Sequence, residues 1–370
     1  MNYWQLIPLL LRLYWILAAG SVLVTILPGV HVPLSFKNAV RLSAARGKLW
    51  QANVRSLGPL SEVTVPQQWF GHFYALGAAC NLTVTLTLLN MMSSPLSTTC
   101  TSCHSCDGST STLVFLLLGM LQLHLVRRLV ETYCIMVYPP GAHMHIIAYA
   151  FGISYYAVVP LSLLPQDMVL ELSKYFLNVA RNMVEAVIAA LLRHNQDISD
   201  NGGNMSHGAI IGEIISLVKE SPKIVLSLIT AAIDLFLGMD WVSVLLQYKL
   251  MLLMGLAIFL SGNIIQCWSH TALARLSKRS FSKYGTDTVS HYLIPHGGLF
   301  ELVSCPHYFG EVLIYLGLLL LAEGRVNAWL MLGWVVLNLV LAANATHAWY
   351  INMFPDTYPR ERKALVPLIW

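Results

Sequence analysis

Seven apolar runs constrain this chain more than any other feature. They cover about Leu6–Leu27, His72–Met92, Leu113–Val137, Ile146–Leu164, Val242–Gly262, Pro306–Ala322 and Ala328–Ala343. Most approach the ~20 residues that a helix needs to cross ~30 Å of hydrocarbon. With 56% hydrophobic and only 11% charged residues, too little polar sequence is left for the two soluble domains that this length would otherwise allow. The expected fold is all-α, a polytopic membrane bundle of about seven transmembrane helices. The first run carries Arg12 and is too long for a signal-peptide core, so it reads as a retained helix. The net charge of +4 is small, and no basic stripe with interleaved aromatics marks a nucleic-acid surface.

The polar stretches between the runs are asymmetric. The first holds Lys37, Arg41, Arg46, Lys48 and Arg55. The stretch after the fifth run, read as a loop, holds Arg275, Lys278, Arg279 and Lys283, and the tail holds Arg360, Arg362 and Lys363. Seven spans with a lumenal N-terminus put all three on one side, which the positive-inside rule makes cytosolic. The chain then divides into an N-terminal four-span half (1–164), an amphipathic lumenal insert (165–241) and a C-terminal three-span region (242–370). Helices of the insert are expected on the membrane surface, joined by a flexible linker at HNQDISDNGGNMSHG, where Asn204 is a glycosylation acceptor. Cys100, Cys103 and Cys106, with His104, make only half of a paired zinc motif. They read as a polar loop, with a lumenal disulfide as the alternative, and no metal is expected.

Three helices carry polar stripes at their cytosolic ends. Ser304, His307, Glu311 and Tyr315 recur at steps of three and four behind a Gly-containing turn. Asn263, Gln266 and His270 do the same in the fifth run, and Asn344, His347 and Tyr350 in the seventh. Any one stripe would serve simply to bond helices together. Three at one depth, beside a Gly-Gly turn and basic segments, predict a polar pocket open to cytosol and walled by lipid-facing helices. No G-x-G-x-x-G follows a strand and no G-x-x-x-x-G-K occurs, so Rossmann and P-loop sites are unsupported.

The segments Ile294–Phe300 (IPHGGLF), Val303–Glu311 and Tyr358–Pro367 together resemble the steroid 5α-reductase family. Val65–Tyr74 (VPQQWFGHFY), Arg127–Tyr133 (RRLVETY) and Pro306–Tyr308 resemble its polyprenol-reducing branch. The resemblance implies a seven-helix, NADPH-dependent reductase of the endoplasmic reticulum membrane, with its active site toward cytosol and its cofactor among the last three helices. By position it assigns Gln266, His270, Tyr292, His307, Glu311, Tyr315 and Tyr350 to the cofactor, and the stripes add Ser304 and His347. Gln266, His270, His307 and Tyr315 replace Asn, Asp, Asn and Trp of the steroid enzymes. Leu293 and Ser277 stand where those enzymes have phosphate-side arginines, so Lys278, Arg279 or Arg275 is expected to substitute. At the substrate end, His72 and Tyr74 occupy the region of the steroid enzymes' glutamate. The region of their tyrosine holds His124, Leu125 and the Arg127–Arg128 pair.

Chemistry then narrows the substrate. Hydride addition to an isolated alkene leaves unsupported charge on the neighbouring carbon, whereas conjugation to a carbonyl moves that charge to an oxygen that a donor can stabilise. The expected acceptor is therefore a polyisoprenoid aldehyde, polyprenal, reduced to dolichal. The net conversion is polyprenol to dolichol, supplying dolichyl phosphate for protein N-glycosylation. His72 or Tyr74 is the expected carbonyl polariser and proton donor. The alternatives are a 3-oxo-5α-steroid 4-dehydrogenase, an enoyl-CoA reductase, or a non-catalytic lipid transporter or scaffold. A transporter would show symmetry between paired halves, and the sequence has none. NADPH separates the classes: at a hundred times its Kd it should stabilise a reductase by about 2.7 kcal/mol, read as a raised melting temperature in detergent, and leave a scaffold unchanged.

Overall fold

The computed structural model describes residues 6–28, 30–44, 63–93, 108–138, 141–201, 249–284 and 292–369, with isolated positions 230 and 238. Nine α-helices follow one another among these residues. They are α1 (Leu6–Ile26), α2 (Leu34–Ala44), α3 (Phe70–Ser93), α4 (Gly108–Val130), α5 (Ile146–Leu163), α6 (Gln166–Asn201), α7 (Lys249–Tyr284), α8 (Pro306–Leu321) and α9 (Val326–Met353). Six of them, α1, α3, α4, α5, α7 and α9, are long and apolar enough to cross a membrane. The seventh expected span, α8, has 16 residues, about 24 Å at 1.5 Å per residue. Leu17, Leu123, Leu250 and Ile264 stand 68–73% exposed. Such residues are costly in water and at no disadvantage against lipid.

A two-stranded antiparallel ribbon pairs β1 (Thr64–Pro66) with β2 (His143–His145), Thr64 opposite His145. Gln67–Trp69 leads from β1 into α3. His145 caps α5, its Nδ1 accepting the Ile147 N–H at 3.2 Å, which satisfies one of the orphan donors of a helix start. The ribbon therefore sets the starts of α3 and α5 side by side. Further bonds fix the opposite end of the bundle. Arg325 at the head of α9 donates to the Leu163 carbonyl of α5 at 2.9 Å. Trp15 of α1, fully buried, donates to Ser162 of α5 at 2.8 Å.

Two expectations need correction. The basic stretch after the fifth run is not a loop: α7 continues unbroken to Tyr284, with Arg275, Lys278 and Arg279 on its last turns. Ala, Leu, Lys and Arg are strong helix formers, and cations near a helix C-terminus complement its dipole. The linker expected within the insert begins as helix, because α6 runs to Asn201. Once nucleated, a helix gains one bond per added residue and extends through weak formers. The rest of that linker, Asn204, the Cys100–Cys106 loop and the start of the fifth run lie outside the described residues.

Helices α7 and α8 pack backbone against backbone at two glycine pairs. A Cβ on Gly262 would stand 2.6 Å from the Gly310 carbonyl oxygen, and one on Gly310 would stand 2.8 Å from that of Gly262. A second pair, Gly255 and Gly317, meets one heptad further along, where a Cβ on Gly317 would stand 2.7 Å from the Gly255 carbonyl oxygen. Small residues let membrane helices approach until backbones touch. This contact places Gln266, one turn beyond Gly262, against Glu311, the neighbour of Gly310. Gly262→Ala or Gly310→Ala should force the helices apart, at a cost of about 1–3 kcal/mol for overpacking. The expected outcome is a lowered melting temperature in detergent and loss of the NADPH-induced shift, while Gly119→Ala, which meets open space, changes neither.

Candidate active site

A cavity of about 420 Å³ lies among α3, α4, α5, α7, α8 and α9. One part of its wall is apolar and aromatic, with Phe70, Phe73, Phe151, Tyr155, Tyr156 and Trp334. The other is polar, with Gln266, His270, Ser277, Ser280, Tyr292, Ser304, His307, Glu311 and Tyr350. Tyr74 and Arg128 link the two: the Tyr74 ring lies 5.2 Å from that of Tyr156, and Arg128 is bonded to both Tyr74 and His270. Of the sequence-selected residues, Tyr74, Gln266, His270, Tyr292, Ser304, His307, Glu311 and Tyr350 line this one space.

The others stand elsewhere. His72 is exposed, and its Nδ1 lies 3.0 Å from the Tyr149 hydroxyl. It is two positions from Tyr74 on α3, so a helix turns the two side chains ~200° apart. Lys278 and Arg279 are exposed on α7, while Ser277 and Ser280 face the cavity. Tyr315 is buried beside Tyr155 with ring centroids 6.4 Å apart. His347 stands behind the wall, its Nδ1 2.6 Å from the Ser304 hydroxyl. Asn263 turns away from the cavity to accept from Arg127 Nε at 2.9 Å.

The turn at 294–304 is held by the C-terminal tail. Gly297 has φ +93° and Gly298 φ +53°, conformations that side chains with a Cβ rarely adopt. Glu301 caps this turn by accepting the Gly297 N–H at 2.6 Å and Arg362 Nη2 at 3.0 Å. The Gly297 bond first, then Arg362, holds its carboxyl below the usual carboxylate range. Arg362 is 2% exposed and also donates to the Pro295 carbonyl at 2.9 Å. Val303 and Lys363 form a parallel bridge, with Lys363 N–H on Leu302 and Ser304 N–H on Lys363. Ser304 Oγ then lies 2.6 Å from the Tyr358 hydroxyl. Burial pushes the phenols of Tyr292 and Tyr358 up and that of Tyr138, a further lining residue, up to about 12. All three are protonated donors at neutral pH.

Behind the junction of the two walls lies a buried charge network. Glu131 bridges two guanidinium groups, with Oε1 on Arg127 and Oε2 2.5 Å from Arg128 Nη1. Its side chain is only 2% exposed. His270 Nδ1 lies 2.7 Å from Arg128 Nη1 and 2.9 Å from Glu131 Oε2. Arg128 Nη2 donates to the Tyr74 hydroxyl at 2.6 Å. Arg127 also donates to Gln266, whose amide donates in turn to Glu311. Two guanidinium groups and two carboxylates thus form one connected set, which buried charge requires. Glu131 opens a single π turn, Glu131–Ile135, in which Met136 N–H reaches the Glu131 carbonyl at 2.8 Å. Such turns occur mostly at functional sites. Sequence reasoning left Arg128 and Glu131 without a role. The available signal was two arginines three and four residues before a glutamate on an apolar helix.

This arrangement suits a ligand with an apolar part and a polar, hydrogen-bonding part held side by side. Comparison with known proteins agrees with it. The family described as 3-oxo-5-alpha-steroid 4-dehydrogenase matches residues 234–370. Polyprenal reductase 1 of Arabidopsis thaliana is 30% identical over 373 residues, covering 96% of this chain and 95% of its own. A polyprenal reductase of Caenorhabditis elegans is 26% identical over 84% of this chain and 81% of its own. A steroid 5-alpha-reductase of Arabidopsis thaliana is 37% identical, but over only 31% of this chain. The molecule is a multi-pass membrane oxidoreductase acting on a carbon–carbon double bond. It belongs to the steroid 5α-reductase family, whose reductases in general depend on NADPH.

Glu311 is the carboxylate in the polar wall, and Gln266 links it to the arginine network. Glu311→Gln keeps the side chain's size but removes its charge and one acceptor. The expected outcome is loss of most of the NADPH-induced rise in melting temperature with the apo melting temperature little changed. An unchanged shift would remove Glu311 from the cofactor site.

Proposed function

We propose that this chain reduces the α,β double bond of polyprenal to give dolichal, using NADPH, in the endoplasmic reticulum membrane with the cavity open to cytosol. The observation that carries this reading is the meeting of an aromatic wall and a polar wall at one buried tyrosine, Tyr74. The full-length similarity to relatives named polyprenal reductase in plants and a nematode supports it. In this reading the N-terminal half supplies the substrate side and residues 242–370 the cofactor side.

The polar wall fits a nicotinamide nucleotide. Gln266, His270, His307 and Glu311 would hold its nicotinamide end, and Ser277, Ser280, Tyr292, Ser304 and Tyr350 the remainder. Ser277 and Ser280 on the inner face of α7, with Tyr292 and Tyr350, would stand in for a fixed arginine clamp, and Lys278 and Arg279 would contribute field from the outer face. When bound, NADPH supplies hydride to the β-carbon of the enal. The chain's own part is to stabilise the charge that this addition pushes onto the aldehyde oxygen. Tyr74 would be the donor that does so, passing its proton to that oxygen to give the enol of dolichal. His72 has no part in this reading. The aromatic wall, from Phe70 and Phe73 to Trp334, takes the first isoprene units and keeps water from the reacting carbons.

The steroid reading rests on the 31% of the chain that matches a plant steroid 5-alpha-reductase. Purified protein with NADPH should be offered polyprenal, polyprenol and a 4-ene-3-oxosteroid side by side, with products identified by mass spectrometry. The expected result is dolichal from polyprenal alone. Reduction of polyprenol but not polyprenal, or of the steroid alone, overturns the proposal.

A further inference from the structure

Arg128 of α4 lines the cavity, and its guanidinium is bonded to Tyr74, His270 and Glu131. Nη2 donates to the Tyr74 hydroxyl at 2.6 Å, and the guanidinium carbon stands 4.7 Å from the centre of the Tyr74 ring. A guanidinium has five donors and no acceptor. In this contact the Tyr74 oxygen is therefore the acceptor, and its own O–H must be directed elsewhere. Tyr74 is 7% exposed and lines the cavity, so its O–H can turn toward an oxygen bound there. Without Arg128 the hydroxyl would rotate freely, and it would accept as readily as donate.

The guanidinium is itself immobilised. Glu131 Oε2 lies 2.5 Å from Nη1 and His270 Nδ1 lies 2.7 Å from it. Glu131 is kept in place from its other oxygen by Arg127. The Arg128 backbone is tied one turn on, where Thr132 Oγ1 donates to its carbonyl at 2.8 Å. Arg127 and Arg128 of α4 stand four and three residues before Glu131, so helical spacing brings its carboxylate under both arginines at once. Lysine could not do the same work, because a single ammonium on a flexible stem lacks the planar fork that meets two partners in fixed directions.

We propose that Arg128 is a positioning residue for the reduction. It fixes Tyr74 as a donor into the cavity and holds the phenolate that forms when Tyr74 gives up its proton. The inference rests on the reaction proposed above. The balance of that step is as follows. Hydride from the nicotinamide nucleotide forms the new C–H bond at the β-carbon, and the π electrons move to the aldehyde oxygen as an enolate. The Tyr74 O–H bond breaks as its proton passes to the enolate oxygen and forms the enol. The enol gives up that proton as its α-carbon takes one from water, which yields the saturated aldehyde, and the phenolate electron pair rests against Arg128 until water reprotonates it. The enal is reduced and the nucleotide is oxidised by the same electron pair.

The test is a double-mutant cycle on the full chain in detergent, with polyprenal and NADPH, and with NADPH affinity measured separately by the thermal shift. Arg128→Gln should lower kcat about a hundredfold, within the range of a lost general acid, while KM for polyprenal and affinity for NADPH change less than threefold. Tyr74→Phe should lose at least as much, and Arg128→Gln added to Tyr74→Phe should cost nothing further, because Arg128 acts through Tyr74. Arg128→Lys should recover no more than a tenth of the lost kcat. Additive losses in the double variant overturn the proposal, since Arg128 would then act independently of Tyr74. Loss of the NADPH-induced shift in both Arg128 variants also overturns it, making the residue part of the scaffold alone. If wild-type protein reduces the 4-ene-3-oxosteroid but not polyprenal, the substrate reading falls, and the same cycle run on the steroid still decides the role of Arg128.

Discussion

Everything at the centre of this protein depends on accommodating charge where water is scarce. Four ionic side chains, Arg127, Arg128, Glu131 and Glu311, sit within a bundle whose outer surface is apolar. An isolated charge there would cost several kcal/mol, so each is matched by an opposite charge or a strong hydrogen bond. Glu131 is shared between two arginines. Gln266 serves as an uncharged connector, accepting from Arg127 and donating to Glu311. The network fixes α4 against α7 and α8, and it sets the Tyr74 hydroxyl and the Glu311 carboxylate on the cavity wall beside Arg128, Gln266 and His270.

That network needs two supports that are purely steric. The glycine pairs Gly262–Gly310 and Gly255–Gly317 let α7 and α8 touch through their backbones, so the short amide of Gln266 reaches Glu311. The C-terminal tail supplies the second support. Its buried Arg362 and the bridge at Lys363 pin the 294–304 turn, and Tyr358 stacks on Tyr350 with centroids 5.2 Å apart. Segments 60 residues apart in sequence thereby become one rigid lip. Function here is a consequence of packing. The cavity has a polar wall because the polar faces of α7, α8 and α9 are turned inward together, and an aromatic wall because α3 and α5 are set side by side by the β1–β2 ribbon.

Much of this could be read from the chain. Hydrophobic run length located six long spans and the shorter α8, because lipid forces every backbone group to be satisfied within the helix. Steps of three and four identified Ser304, His307 and Glu311 as one stripe, and the structure puts all three on the cavity. Periodicity was less informative where side chains alternate between two functions. His72 and Tyr74 were equal candidates by position, yet only Tyr74 faces inward. Lys278, Arg279 or Arg275 was expected to stand in for a phosphate-side arginine; all three are exposed on α7, while Ser277 and Ser280 line the cavity. In each case a rotation of 100–200° about a helix axis decides the outcome, and that rotation is set by packing against neighbours.

The sequence by itself determined the membrane class, the approximate spans, the inward stripe of α8 and the family, because these follow from local composition, period and motif. Only the tertiary structure decided which polar residues meet. Arg128 and Tyr74 are 54 positions apart, and His270 is 142 from Arg128. Their contact depends on how α3, α4 and α7 are rotated and packed against one another. That packing is not a local property of the chain. A buried guanidinium takes the partners that the folded bundle brings within about 3 Å, and three-dimensional packing alone selects them.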